Sequence, residues 1–317
     1  MSGACSASTE VRSEGARVPR GAGDVSTFVL LTITGLGLGA MYFLVASGLS
    51  LIYGLMGVLN FAHGAFITVG AYLAWWFGEQ VGGGAGTRLV VGGVLGIAGG
   101  ALLAALVELC LIRPLYRRPI EQVLVTVGLA LALGALVQGI WGADPKPFPV
   151  PSWMIDTTTI LGASVPNDRF VEIGIAAAVL LGLTAFLRYT RFGLVIRAGV
   201  ENRAMVSALG IDVRRAFTIV FALGGALAAL AGVLSGVYYG VVDPGRGTSL
   251  LIFAFIVVVI GGFGSIGGSA IAAVAVGLIQ QYANYYASSG TGDLAVVMLL
   301  AIVLLVRPGG LAPKVAH

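Results

Sequence analysis

Residues 26–77 include no Asp, Glu, Lys or Arg. An ordinary soluble domain has about a quarter of its residues charged, so a charge-free stretch of this length belongs in something other than water. A helix crosses the hydrocarbon core with about 20 apolar residues, which leaves room here for more than one pass. The rest of the chain has the same character: 58% of its 317 residues are hydrophobic and 10% are charged. Apolar runs occupy residues 28–53, 65–77, 89–112, 123–141, 171–187, 216–240, 250–260, 270–286 and 294–306. These runs predict an all-α integral membrane protein, a polytopic bundle of about eight or nine transmembrane elements with broken or re-entrant segments. The membrane domain covers 26–312. Residues 1–25 read as a disordered polar leader, without the apolar core of a signal peptide.

Charge placement gives direction. Six arginines fall within 188–215 against only Glu201 and Asp212. A second basic cluster is Arg113, Arg117 and Arg118, and a third is Arg307 with Lys314. The loops at the opposite span ends hold only Arg88, Lys146, Arg169 and Arg246. Basic loops stay on the cytoplasmic side, so the three clusters and the C-terminus are expected inside, and the proline-rich segment 142–170 outside. The side of the N-terminus stays open. Three full crossings before Arg113 put it outside, whereas a re-entrant 65–77 segment puts it inside with the leader arginines. The net charge of +4 comes from basic residues at span ends. It therefore reads as topology and contact with lipid headgroups, not as a nucleic-acid footprint.

The 188–215 loop has structure of its own. Residues 202–209 follow a helical pattern with Ala204, Met205, Ala208 and Leu209 on one face, and Gly210 follows as a stop. A short apolar-faced helix among arginines at the inner surface is suited to docking into a soluble partner.

Glycine falls in register. Gly224, Ala228, Gly232, Gly236 and Gly240 recur every four residues, as do Gly92, Gly96, Gly100 and Ala104. Small residues at this spacing let helices approach closely in lipid. Gly224, Gly232 and Gly236 are the candidate packing positions.

Two segments interrupt the apolar runs. The first, at 57–64, contains Asn60, His63 and Gly64; the second, at 261–268, contains Gly261, Gly262, Gly264 and Gly267. Interrupted helices expose backbone groups that must face protein or a wet cavity, and transporters place such breaks beside the moving solute. These seven residues are the candidate pathway or gate. His63 also admits a proton-relay reading or a plain hydrogen-bonded role at a helix break. Glu108, at the inner end of its span, is expected to pair with an arginine.

Catalytic chemistry has little to work with. No G-x-x-x-x-G-K-[ST] phosphate loop occurs. The chain has two histidines, His63 and His317, and two cysteines, Cys5 and Cys110, too few for a metal cluster or a Ser-His-Asp set. The chain is expected to be no enzyme and to hold no metal or cofactor. A stand-alone secondary transporter or channel is the rival reading. It calls for buried ionisable residues in mid-span, and only His63 and Glu108 offer themselves.

Taken jointly, several motifs resemble a known family. They are Leu59-Asn60-Phe61-Ala62-His63-Gly64 after the first span, Glu108 before Arg113-Pro114, and Arg191-Phe192-Gly193 with Arg197-Ala198 and Ala208-Leu209-Gly210-Ile211. Tyr239-Gly240 before Asp243-Pro244, the glycine-rich 261–268 run and Arg307-Pro308-Gly309-Gly310-Leu311 complete the set. Residues 28–311 thus resemble permease subunits of branched-chain amino acid ABC importers, the LivH type, of the bacterial inner membrane. The resemblance implies a second, LivM-like permease, two cytoplasmic ATPases that bind the ATP, and an extracytoplasmic solute-binding protein. It also implies that Arg191, Gly193, Arg197, Glu201, Arg203, Ala208 and Gly210 form the contact to an ATPase. Ala65 stands where many relatives carry an acidic residue, which keeps a urea or short-chain amide permease of the same scaffold open as the alternative.

Overall fold

The computed structural model describes residues 20–57, 59–116, 118–201, 205, 213–307 and 309–310. Of the leader and the 188–215 loop, residues 1–19, 202–204 and 206–212 therefore lie outside the described part. The main helices are α1 (Arg20–Met56), α2 (His63–Gln80), α3 (Ala85–Val107), α4 (Pro119–Trp141), α6 (Asn167–Tyr189), α8 (Val213–Tyr239), α9 (Arg246–Gly261), α10 (Ile266–Tyr286) and α11 (Thr291–Val306). Two smaller helices are α5 (Ser152–Ile155) and α7 (Arg191–Glu201). Six of the main helices are long and apolar enough to cross a membrane, and α9 and α11 are shorter apolar helices. The architecture is an all-α membrane bundle, as the apolar runs require.

Each helix stops for a local reason. The Gly57 N–H bonds to the Tyr53 carbonyl (2.7 Å) with φ +67°, a left-handed C-terminal stop that glycine takes without a Cβ clash. Gly262 and Gly264 supply two more positive φ angles between α9 and α10. There the Ser265 hydroxyl caps α10 by accepting the Gly268 N–H (3.0 Å). Helix α3 runs on into a π-helical turn, Glu108–Ile112, and a 3₁₀ turn, Arg113–Leu115.

Contacts sort the loops onto two faces. On one face, the end of α1 meets the α9–α10 turn, since a Cβ on Gly54 would lie 3.1 Å from Gly264 Cα. Gly310 approaches Gly262 there as well. On the other face, β1 (Lys146–Pro147) pairs antiparallel with β4 (Val241–Val242), joining the segment after α4 to the turn after α8. A hairpin of β2 (Thr157–Ile160) and β3 (Ala163–Pro166) lies on that same face beside Ser26, near the start of α1. Helix α1 therefore begins opposite the arginine clusters and ends among them. Helices α1, α2 and α3 thus run alternately between the two faces before Arg113.

The main core runs along α1, α2, α8, α9 and α10, and small residues bring α2, α3 and α8 together within it. Gly70 and Gly100 both abut Ala229, Gly96 abuts the Gly70 carbonyl, and Gly232 abuts the Ile67 carbonyl. A Cβ at any of these would collide with a neighbour, so the glycine and alanine stripes set how closely α2, α3 and α8 pack. Gly224 rests on Ile52 of α1, and Gly236 on the ring of Phe148 in the loop after α4. Helices α4 and α6 have mostly exposed membrane-level surfaces.

Candidate functional site

The chain turns back at the end of α1. Gly57 and residues 59–62 are non-helical, and the chain re-enters the bundle as α2. Asn60 holds this segment locally: its Oδ1 accepts the Ala62 N–H (3.1 Å) and its carbonyl accepts the His63 N–H (3.3 Å). Its amide Nδ2 is buried and has no hydrogen-bond partner. His63 is fully buried in the first turn of α2, with Nε2 against the Val45 carbonyl of α1 at 3.1 Å and Nδ1 unpartnered. The histidine ring takes the space a Cβ on Gly48 would need. Gly64 seats against the start of α9, where its added Cβ would lie 2.9 Å from the Gly247 carbonyl. Below that contact lies an apolar cavity of about 420 Å³ between the interrupted segment and α9, lined in part by Leu49, Asn60, Phe61, Leu251, Ile252 and Phe255.

The second break lies at the arginine-rich end. Gly261 and Gly268 pack backbone to backbone and close a tight α9–α10 hairpin, and Gly264 packs on Gly54. Gly267 has open space around it and, with Thr184, Leu187, Arg188, Gly264 and Ile266, borders a cavity of about 300 Å³. The two breaks are linked through rings. Phe61 faces Phe255 (6.4 Å), Phe255 faces Phe263 (6.2 Å), and Phe263 packs on Tyr53 (4.5 Å). Asn60 and His63 thus sit within the bundle, and the glycine-rich turn sits one aromatic relay away at its end.

Helix α7 lies on this same face. Gly193 packs against the carbonyls of Phe186 and Leu187 with no room for a side chain. Its N–H is bound by the Thr190 hydroxyl (3.0 Å). Ile196 is buried, whereas Phe192 and Leu194 are 51% and 63% exposed. Arg191 is also exposed. The side chains of Arg197 and Glu201 are outside the described set, as are Arg203, Ala208 and Gly210 entirely. Nearby, Glu108 is fully buried and accepts hydrogen bonds from the Thr218 hydroxyl (2.6 Å) and the Tyr116 hydroxyl. Among the described residues hydroxyls therefore take the place of the expected arginine, and they tie the π-helical turn to the start of α8.

A buried ionic cluster escaped the sequence reading. Arg169 lies 3.4 Å from Asp168 and 3.7 Å from Glu172, and its guanidinium stacks 3.3 Å from the ring of Tyr238. Glu172 is fully buried and neither of its oxygens has a hydrogen-bond donor. Gly37 of α1 leaves the space for this cluster, since its added Cβ would fall 3.0 Å from Arg169 Cδ. Further across, Arg246 stacks on Tyr239 (3.8 Å), and a chain of hydrogen bonds runs from the Tyr42 hydroxyl to Gln280 (2.7 Å) and on to Asp293 (2.6 Å). The i, i+1, i+4 spacing of Asp168, Arg169 and Glu172 just after Pro166 was the available signal, because acidic residues favour a first helical turn.

Residues 31–307 match the family model described as "Branched-chain amino acid transport system / permease component". The chain is 31% identical over 296 residues to the high-affinity branched-chain amino acid transport system permease protein LivH of Escherichia coli (strain K12), covering 90% of this chain and 95% of that one. It is 29% identical to the corresponding permease protein BraD of Pseudomonas aeruginosa, covering 91% and 96%. Similarity also reaches the ribose import permease protein RbsC of Escherichia coli (strain K12), at 28% identity over 57% of this chain and 68% of that one. A solved structure titled "PsaBC from Streptococcus pneumoniae in complex with Fab" shares the fold, with a TM-score of 0.52 at 16% identity, covering 92% of this chain and 96% of that chain.

Proposed function

This chain belongs to the branched-chain amino acid permease family, and from that premise we propose how it works as the membrane subunit of an ABC importer. It provides a passive path for branched-chain amino acids, and separate subunits supply recognition and energy. The partners in this reading are a second, LivM-like permease, two ATPases that bind the ATP, and an extracytoplasmic binding protein. The arginine-rich face, with the C-terminal end of α11, faces the cytoplasm, because basic loops are retained there.

The observation that carries this reading is the surface of α7. The helix is fastened to the bundle by Gly193 and Ile196, yet Phe192 and Leu194 project away from it beside the exposed ring of Tyr189. Apolar side chains held outward on a rigid mount among arginines suit insertion into a cleft on a soluble subunit. An ATPase that changes shape can then push on α7, which contacts α1, α6 and α8, and so on the helices beside the interrupted segment.

Co-purification tests this assembly. The chain expressed with its ATPase subunits should bring them through detergent extraction. Phe192→Glu should release them while the permease remains folded. Retention of the ATPases by Phe192→Glu and by Leu194→Glu alike would count against α7 as the contact.

A further inference from the structure

We propose that the π-helical turn Glu108–Ile112 is a two-state elbow that carries movement of the start of α8, by way of α4, to the interrupted segment; the inference rests on the proposed function above. The residue types favour a bend here. Pro114 has no N–H, and its ring would clash with the Cys110 carbonyl, so a straight α-helix cannot run through this point. The ladder widens instead, and the Arg113 N–H reaches back five residues to the Glu108 carbonyl. Single π turns inside helices are rare and often lie at functional sites.

The helix crossing before the elbow is fixed, since Gly225 of α8 abuts Ala104 and the Gly100 carbonyl of α3. At the elbow itself the join is polar and exchangeable. The Thr218 hydroxyl lies 2.6 Å from the Glu108 carboxylate and 3.2 Å from the Arg214 carbonyl. A hydroxyl has one hydrogen to donate, so Thr218 bonds either across to the elbow or back along its own helix. A small movement of α8, which follows the arginine-rich loop, exchanges one bond for the other. Tyr116, just past the elbow, donates to the same carboxylate and packs edge-on to Phe217 of α8 (5.1 Å). Both ends of the elbow therefore answer to the first turns of α8. The output lies on α4, which begins at Pro119. Its buried Thr126 hydroxyl accepts the Phe61 N–H of the interrupted segment (3.4 Å).

The test measures the separation of α3 and α4 in the complete importer. Spin labels are placed at Val94→Cys and Leu131→Cys, positions 61% and 73% exposed on the two helices, with Cys5→Ala and Cys110→Ala. Double electron–electron resonance is recorded without nucleotide and with ATP and vanadate. The mean distance should shift by about 2 Å, the scale of helix movements in such transitions. Thr218→Val should abolish the shift, and Thr218→Ser, which keeps the donor, should retain it. An unchanged distance in an importer that takes up leucine would overturn the elbow and leave a fixed kink. A shift that persists in Thr218→Val would overturn the exchange at Thr218 as its cause. A wild-type complex that moves no leucine with ATP and the binding protein present would instead refute the proposed function, and the elbow's role with it.

Discussion

The guanidinium carbon of Arg169 lies over the ring of Tyr238 at 3.3 Å, with the buried carboxylate of Glu172 at 3.7 Å. One cation thereby serves two acidic groups and an aromatic face at the junction of α1, α6 and α8. Removing one member of a buried pair costs more than the pair is worth, because the remaining charge is left uncompensated. Arg169→Met should destabilise the purified protein by about 3–5 kcal/mol, read as a fall in thermal unfolding temperature in detergent. Arg169→Met combined with Glu172→Leu should recover part of that loss, since Asp168 still lacks its cation. A double variant as unstable as the single one would show that packing, not charge, dominates there.

The glycine contacts predict a graded response. Gly232 abuts the Ile67 carbonyl, so Gly232→Leu should prevent close approach of α2 and α8 and abolish assembly of the complex. Gly128 on α4 has nothing within 4 Å of an added Cβ. Gly128→Ala should therefore be neutral or slightly stabilising, since alanine is the better helix former by about 1 kcal/mol. Size-exclusion profiles and membrane yields of the two variants compare these outcomes directly.

Glu108 links the π-helical turn after α3 to Thr218 near the start of α8. Thr218→Val removes a donor to a buried carboxylate, which costs about 1.5–3 kcal/mol for a hydrogen bond to a charged group. Because α8 follows the arginine-rich loop, the same change should reduce uptake per ATP hydrolysed. Thr218→Ser keeps the donor and should retain wild-type coupling. Parallel assays of uptake and ATP hydrolysis report that ratio, and equal coupling in Thr218→Val would confine Glu108 to a structural role.

Much of this architecture was legible in the sequence because lipid imposes a strong rule on composition. Apolar runs marked the helices, and Gly57 and the 261–268 glycines marked the breaks. The stripe at Gly92, Gly96 and Gly100 marked a real helix crossing. What escaped was set by partners distant in the chain. Asp168 and Arg169 looked like the tail of an external loop because the apolar run begins at Val171, just before Glu172, yet α6 starts at Asn167 and carries all three inside. Their neighbours Gly37 and Tyr238 come from two other helices. Glu108 suggested an arginine nearby in sequence, and the structure gives it Thr218, 110 residues away. Gly236 suggested a helix partner and meets Phe148 of a loop instead. The N-terminal side was open because charge counting and span counting disagreed. The start of α1 lies beside the β2–β3 hairpin, on the face opposite its own C-terminal end.

In the proposed function this chain is a passive path driven from outside itself. Proteoliposomes containing the chain with its partner permease, with and without the ATPase subunits, test this most directly. Uptake of radiolabelled leucine should require the ATPases, ATP and the binding protein together, and should vanish when any one is omitted. Leucine accumulation by the permease subunits alone, driven by a proton or sodium gradient without ATP, would contradict it.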